Sequence, residues 1–137
     1  MSLVLDCSAT LAWIFPDETT KPIQTLFEQV VEQGALVPNL WRIEVANSLT
    51  MAVRSGRFTE EERTSSLKDL ADLEIAQDEE TWSRVWNDTL SLADLYRLTV
   101  YDATYLELAL RLSIPLATLD ADLRKAARSA RVTLLGK

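Results

Sequence analysis

The 137-residue chain contains no histidine, and that absence removes a large part of ordinary enzyme chemistry. No Ser-His-Asp or Cys-His couple can be assembled, and no imidazole is available to ligate a metal. Cys7 stands alone, so an internal disulfide is impossible and a cysteine-based zinc site lacks ligands. Glycine is nearly as scarce. Gly34, Gly56 and Gly136 are too far apart to build a phosphate-cradling loop or a dinucleotide-binding fingerprint. No apolar run approaches the roughly 20 residues that span a bilayer, and the apolar pattern begins at Leu3 without a preceding basic region. The chain therefore reads as a cytoplasmic protein without a membrane segment.

Positive charge is also short, with 14 Lys plus Arg against 21 Asp plus Glu and a formal net charge of -7. At face value this repels nucleic acid and excludes a simple DNA-coating role. It does not exclude a nuclease, because about two divalent cations held among the acids bring the charge to about -3, with the positive charge at the site itself. What is present is a core-forming composition, 47% hydrophobic and 26% charged. That suffices for one domain over residues 1–137 without covalent staples. Carboxylates are the main catalytic material left.

Ser2 to Leu5 is short, apolar and partly β-branched, which predicts a buried strand, and Ser8 to Phe15 then reads as helix until Pro16. Ile23, Leu26, Phe27, Val30 and Val31 give helical spacing over Lys21 to Gln33, stopped by Gly34, with Ala35 to Val37 a short strand. Asn39 is placed to cap a helix from Leu40 to about Ser55, and Thr59 with Glu62 forms a capping-box pattern opening another. Leu73 to Ala76 reads as a strand and Glu79 to Tyr96 as a helix. Asp102 is expected to cap a helix to about Leu112 that is apolar nearly all round, hence central or at an interface; Thr99 to Tyr101 before it reads as extended or as a loop. Ile114 to Thr118 is a strand, Asp120 opens a last helix to about Ala130, and Val132 to Leu135 is a closing strand. The alternation predicts an α/β fold with a mainly parallel central sheet of about four to five short strands flanked by helices.

In such a sheet, ligands bind where strands end and helices begin. Asp6 and Asp120 stand at strand exits, Asp102 less securely so, and Glu44 about one turn into a helix that itself follows a strand. Taken singly, each aspartate reads as a helix cap and Glu44 as part of a solvated face. Caps do not explain a glutamate aimed at the same edge in a chain stripped of other catalytic groups. Converging carboxylates repel unless a cation neutralises them, and an all-oxygen set suits Mg²⁺ or Mn²⁺, which activate water toward phosphodiesters.

These residues resemble a known family. Val4-Leu-Asp6-Cys-Ser8, the Pro38–Asn47 segment around Glu44, Tyr101–Ala109 around Asp102 and Leu116–Leu123 around Asp120 are similar, in order and spacing, to the four acidic motifs of PIN-domain ribonucleases. Length and coverage resemble the VapC-type toxins of VapBC toxin-antitoxin systems. The resemblance implies a PIN-like fold and a metal-binding, catalytic quartet of Asp6, Glu44, Asp102 and Asp120. It implies supporting roles for Ser8, Asn47 and Thr118. It further implies Mg²⁺- or Mn²⁺-dependent endoribonuclease activity on RNA, a homodimer, and neutralisation by a VapB-type antitoxin. A PIN nuclease of RNA processing and a non-catalytic PIN-like binding module are the alternatives.

Asp122 reads either as a fifth ligand or as a first-turn residue complementing the helix dipole. Arg124, Arg128 and Arg131, at i, i+4 and i+7, form a candidate RNA-contacting row or a plain solvated face. Apolar surface around Trp13, Phe15 and Trp41 is a candidate partner-binding region, with core packing the simpler explanation for most of it. A phosphoaspartyl phosphatase of the haloacid-dehalogenase kind is a rival chemistry for Asp6, weakened because Ser8 stands where that class places a second aspartate. Acid quenching after incubation with a labelled phosphate ester should trap no phosphoenzyme on Asp6; a trapped aspartyl phosphate contradicts the metal-nuclease reading.

Overall fold

The computed structural model describes residues 2–137. Its strands are β1 (Val4–Leu5), β2 (Ala35–Val37), β3 (Ile75–Gln77), β4 (Leu116–Ala117) and β5 (Leu134–Leu135). They form one sheet in the order β3-β2-β1-β4-β5, with every neighbouring pair parallel. Leu3, Val4, Leu5, Leu116 and Ala117 are at most 1% exposed, which is why these strands read as short continuous apolar runs rather than alternating ones. The chain walks outward through β2 and β3 and then returns to lay β4 on the opposite side of β1. The strand order therefore reverses between β1 and β4, in register Leu5 opposite Ala117. Clefts at the carboxyl ends of strands open at such reversals.

The helices are α1 (Cys7–Ile14), α2 (Lys21–Gln33), α3 (Trp41–Arg54), α4 (Glu60–Ala71), α5 (Thr81–Arg84), α6 (Leu90–Tyr96), α7 (Val100–Leu112) and α8 (Ala121–Ser129). Helix α2 begins and ends where its apolar spacing predicts, and Gly34 closes it at φ 76°. A Cβ there would lie 2.7 Å from the Glu74 carbonyl oxygen, so β2 can enter the sheet beside that segment only without a side chain. The Thr59–Glu62 capping box forms with both reciprocal bonds. Helix α7 is the central helix: every residue from Ala103 to Ala109 is buried.

Several boundaries differ from the sequence reading, each for a local reason. Asn39 caps nothing; the turn before α3 is closed by backbone, with the Trp41 N–H donating to the Pro38 carbonyl at 3.1 Å. Strand β3 begins at Ile75 because Leu73 is still closing α4 through a bond to the Leu70 carbonyl. The expected helix over residues 79–96 begins at Thr81 and contains a π-helical turn at Val85–Thr89 between α5 and α6. Thr99, not Asp102, caps α7: its hydroxyl accepts from the Asp102 N–H at 3.1 Å. Val100 and Tyr101 are accordingly helical, and Asp102 sits in the first turn.

Helix α7 is tied to the far edge of the sheet by charge. Arg111 near its end donates to Glu107 at 2.7 Å and to Asp78, just past β3, at 2.7 Å. The three side chains are only 11%, 4% and 10% exposed. Burial alone would raise the Asp78 carboxyl, but the Arg111 guanidinium and the Thr81 hydroxyl outweigh it and hold it below its usual value. Arg111→Met leaves two buried acids without their cation and should lower unfolding stability by about 3 kcal/mol, read by urea denaturation; an unchanged midpoint would show that the network carries no net stability.

Candidate active site

Asp6 leaves β1 and caps α1 from a buried position. Its Oδ1 accepts from the Ala9 N–H at 3.0 Å and the Ser8 hydroxyl at 2.7 Å, and its Oδ2 from the Thr118 hydroxyl at 2.5 Å. The two hydroxyls are themselves oriented. Ser8 Oγ accepts from the Leu119 N–H at 2.9 Å and Thr118 Oγ1 from the Asp120 N–H at 3.0 Å, so each hydroxyl is free to spend its single proton on Asp6. The Thr118–Asp6 bond spans the strand-order reversal between β1 and β4. Burial pushes the Asp6 carboxyl up, opposed by these donors and reinforced by the negative charge of Asp120.

The other acids reach the same edge from three helices. Asp120 caps α8 through Oδ2, which accepts from the Leu123 N–H at 2.8 Å. Asp102 is relieved of capping by Thr99, and among the described residues no hydrogen-bond donor reaches its carboxylate. Burial first, then the charges of Asp120, Asp6, Glu44 and Asp122, push it up to about 6. Glu44, in the first turn of α3, is half-buried and accepts a short hydrogen bond from the Tyr105 hydroxyl. Burial raises its carboxyl, the Tyr105 bond opposes this, and Asp6 adds to the rise. Asp122 is exposed in the first turn of α8, within the same field.

The four acids thus share an electrostatic field rather than a common contact point. Among the described residues, no three carboxylates lie close enough together to clasp an ion between them. This still suits a hard, strongly hydrated cation, which takes one or two carboxylates directly and keeps several waters. Each acid retains an oxygen for the purpose: Asp6 has room on Oδ2, Asp120 keeps Oδ1, Glu44 keeps Oε2, and Asp102 keeps both. The donor chemistry fits Mg²⁺ or Mn²⁺ and not a soft metal. Cys7 adds nothing to it, since burial pushes its thiol up to about 12.

Ser8 and Thr118 touch Asp6 as the sequence resemblance implies. Asn47 is exposed, and it is the neighbouring Ser48 that approaches the Cys7 sulfur, at 3.8 Å. The arginine row does not form. Arg124 donates to the carbonyls of Thr118 and Leu135 at 2.7 and 3.1 Å, and Arg131 lies past the end of α8 at φ 62°. Phe15 and Trp41 are buried at 4% and 7% exposure, so the apolar surface lies elsewhere, chiefly at Ile43, Trp82, Trp86, Leu95 and Tyr101.

Sequence reasoning missed three contributors. Tyr105 carries no sequence signal beyond its spacing, three residues after Asp102 on one helix face. Thr10 and Trp41 form a relay: the indole N–H donates to the Thr10 hydroxyl at 3.0 Å, which donates to the Asp6 carbonyl at 2.8 Å. That relay fixes the start of the Glu44 helix against the Asp6 backbone.

The PIN domain family model matches residues 3–129 of this chain. Ribonuclease VapC3 of Pyrobaculum aerophilum is 34% identical over 123 residues, covering 90% of this chain and 92% of that protein. Among solved structures, PAE2754 from Pyrobaculum aerophilum superposes with a TM-score of 0.69 at 20% identity, over 92% of this chain and 84% of that one. FitAcB from Neisseria gonorrhoeae gives 0.58 at 14% identity, over 96% and 95%. At these identities the two structures speak for the fold.

Crowded acids leave a pH signature. Asp102 binds its proton more tightly folded, at about 6 against 3.8 for the ordinary group, so the folded state holds more protons between those values and stability falls as pH rises through them. With chelator present, the protein should lose stability from pH 4 to 6, and Asp102→Asn should flatten that slope and raise the melting temperature at pH 7. Equal slopes in the two proteins would show that burial and the neighbouring acids do not raise the Asp102 carboxyl.

Proposed function

The chain belongs to the PIN-domain family, and from that premise we propose that it is a Mg²⁺- or Mn²⁺-dependent endoribonuclease, the toxin of a VapBC-type toxin-antitoxin pair. The observation that carries this reading is the convergence of Asp6, Glu44, Asp102 and Asp120 on one field at the strand-order reversal, with Asp102 pushed up to about 6. Such a concentration of negative charge is costly for a structural site and useful for a cation site. The toxin assignment rests on the similarity to Ribonuclease VapC3 across nearly the whole of both chains.

Asp6, Glu44, Asp102 and Asp120 would hold the cation. When bound, the cation supplies positive charge to the phosphodiester oxygens and makes water a better nucleophile. The chain's own residues supply order. Ser8, Thr118 and the Ala9 N–H hold the Asp6 carboxylate by both oxygens and favour its ionised form. The Leu123 N–H orients Asp120. Asp102 remains the carboxylate least committed to the protein, its ionised form disfavoured by burial and by its acidic neighbours, so it stands to gain from a cation. Neutralising this edge is also what lets a polyanion approach a chain of net charge -7.

No helix among the described residues is long and apolar enough to cross a membrane, and the proposed substrate places the activity in the cytoplasm. Exposed Ile43, Trp82, Trp86, Leu95 and Tyr101 supply apolar area of the kind an antitoxin helix or a second copy covers. We therefore extend the proposal to a VapB-type antitoxin and a homodimer.

Purified protein should cleave RNA with Mg²⁺ or Mn²⁺ and stop cleaving in EDTA. Asp6→Asn and Asp102→Asn should each abolish cleavage while circular dichroism shows an intact fold. Cleavage that survives chelation, or that both variants retain, contradicts the metal-nuclease reading. Growth arrest on expression, relieved by a co-expressed antitoxin, tests the toxin assignment separately.

A further inference from the structure

The Tyr105 ring is 1% exposed and stands on the buried face of α7, among Leu106 and Leu108 of the core. Phenylalanine would fill that space as well, so packing does not account for the hydroxyl. The hydroxyl spends its proton on Glu44 Oε1, 61 residues away on another helix. The phenol O–H is a donor suited to a carboxylate oxygen.

Glu44 needs such a partner more than the other acids do. Asp6 and Asp120 are short side chains clamped by the backbone N–H groups of their own helix starts. Glu44 is longer, has no capping bond, and sits in the first turn of a helix whose cap is not a side chain. The Trp41–Thr10–Asp6 relay fixes the helix backbone but leaves the Glu44 carboxylate free to rotate. Among the described residues, Tyr105 alone fixes the carboxylate itself. Because Asp102 stands one turn earlier on α7, that one helix delivers one acid directly and orients a second that stands on α3.

We propose that Tyr105 is a positioning residue for the cation site: its buried hydroxyl holds Glu44 by Oε1 and presents Oε2 to the ion. This rests on the metal-nuclease reading above. It concerns how the fourth acid is aimed, a property of this chain's packing.

Mn²⁺ binding, measured by titration calorimetry or by the paramagnetic resonance of free Mn²⁺, tests it without recourse to cleavage. Tyr105→Phe should raise the Mn²⁺ dissociation constant roughly 10- to 100-fold, the usual cost of losing a partner that orients a ligand, and keep a cooperative unfolding transition. In a Glu44→Gln background the same change should cost nothing further, since Tyr105 acts through Glu44. If Tyr105→Phe does not fold, Glu44→Asp keeps the charge and the ring but shortens the arm, and should weaken Mn²⁺ binding comparably. A folded Tyr105→Phe, or in its absence a Glu44→Asp, that binds Mn²⁺ like the wild type overturns the positioning role and leaves the nuclease reading standing. A wild type that binds no Mn²⁺ at millimolar concentration overturns both.

Discussion

The buried carboxylate of Asp6, held across the join between β1 and β4, is the constraint on which the rest depends. A carboxyl group at 4% exposure is tolerated only with its oxygens hydrogen-bonded. The three donors come from the two chain segments that must meet for the sheet to close: Ser8 and Ala9 follow β1, and Thr118 follows β4. The same bonds therefore complete the fold at its reversal point and fix the first acid of the site. Thr118 also receives the Asp120 N–H, so the second acid is placed by the same hydroxyl. A change at Thr118 disturbs strand pairing, the protonation of Asp6 and the start of α8 together.

Around that anchor the molecule accumulates unfavourable charge and compensates it from a distance. Core packing holds α7 against the sheet, and the Arg111 network ties its far end to the segment after β3. Asp102 thereby stays near Asp6, Glu44 and Asp120 despite their repulsion. Among the described residues no cationic side chain pairs with these acids, the pattern expected of the proposed site if a ligand is to supply the missing charge.

Much of this was legible in residue types and spacing. Short apolar runs ending in acids gave the parallel sheet and its carboxyl edge, and the absence of histidine left carboxylates as the chemistry. Asp6 and Asp120 stand out because each follows a strand and opens a helix, positions that chain order exposes, whereas Glu44 and Asp102 lie within the first turns of α3 and α7. What was not legible depended on contacts across the chain. Asp102 resembles a cap in sequence, but Thr99 three residues earlier offers the N-terminal N–H groups a hydroxyl, and this frees the carboxylate. Arg124 looked like part of a basic row until the carbonyls of Thr118 and Leu135 were brought within its reach. Phe15 and Trp41 pack into the core, the simpler of the two readings their sequence allows, and the exposed rings include Trp82, Trp86 and Tyr101, which spacing alone does not distinguish from buried ones. Nothing in the spacing of Tyr105 points to Glu44, and only the fold reveals that its hydroxyl ends there.

We propose that these acids, held near one another despite their repulsion, form a site for a cation. Crystals grown with Mn²⁺ and measured near the manganese absorption edge address it directly. The account expects an anomalous peak among Asp6, Glu44, Asp102 and Asp120, completed by waters, with the Asp6 hydrogen bonds to Ser8 and Thr118 unchanged. Saturating Mn²⁺ with no peak between these four residues, or with the ion held elsewhere on the surface, would contradict it.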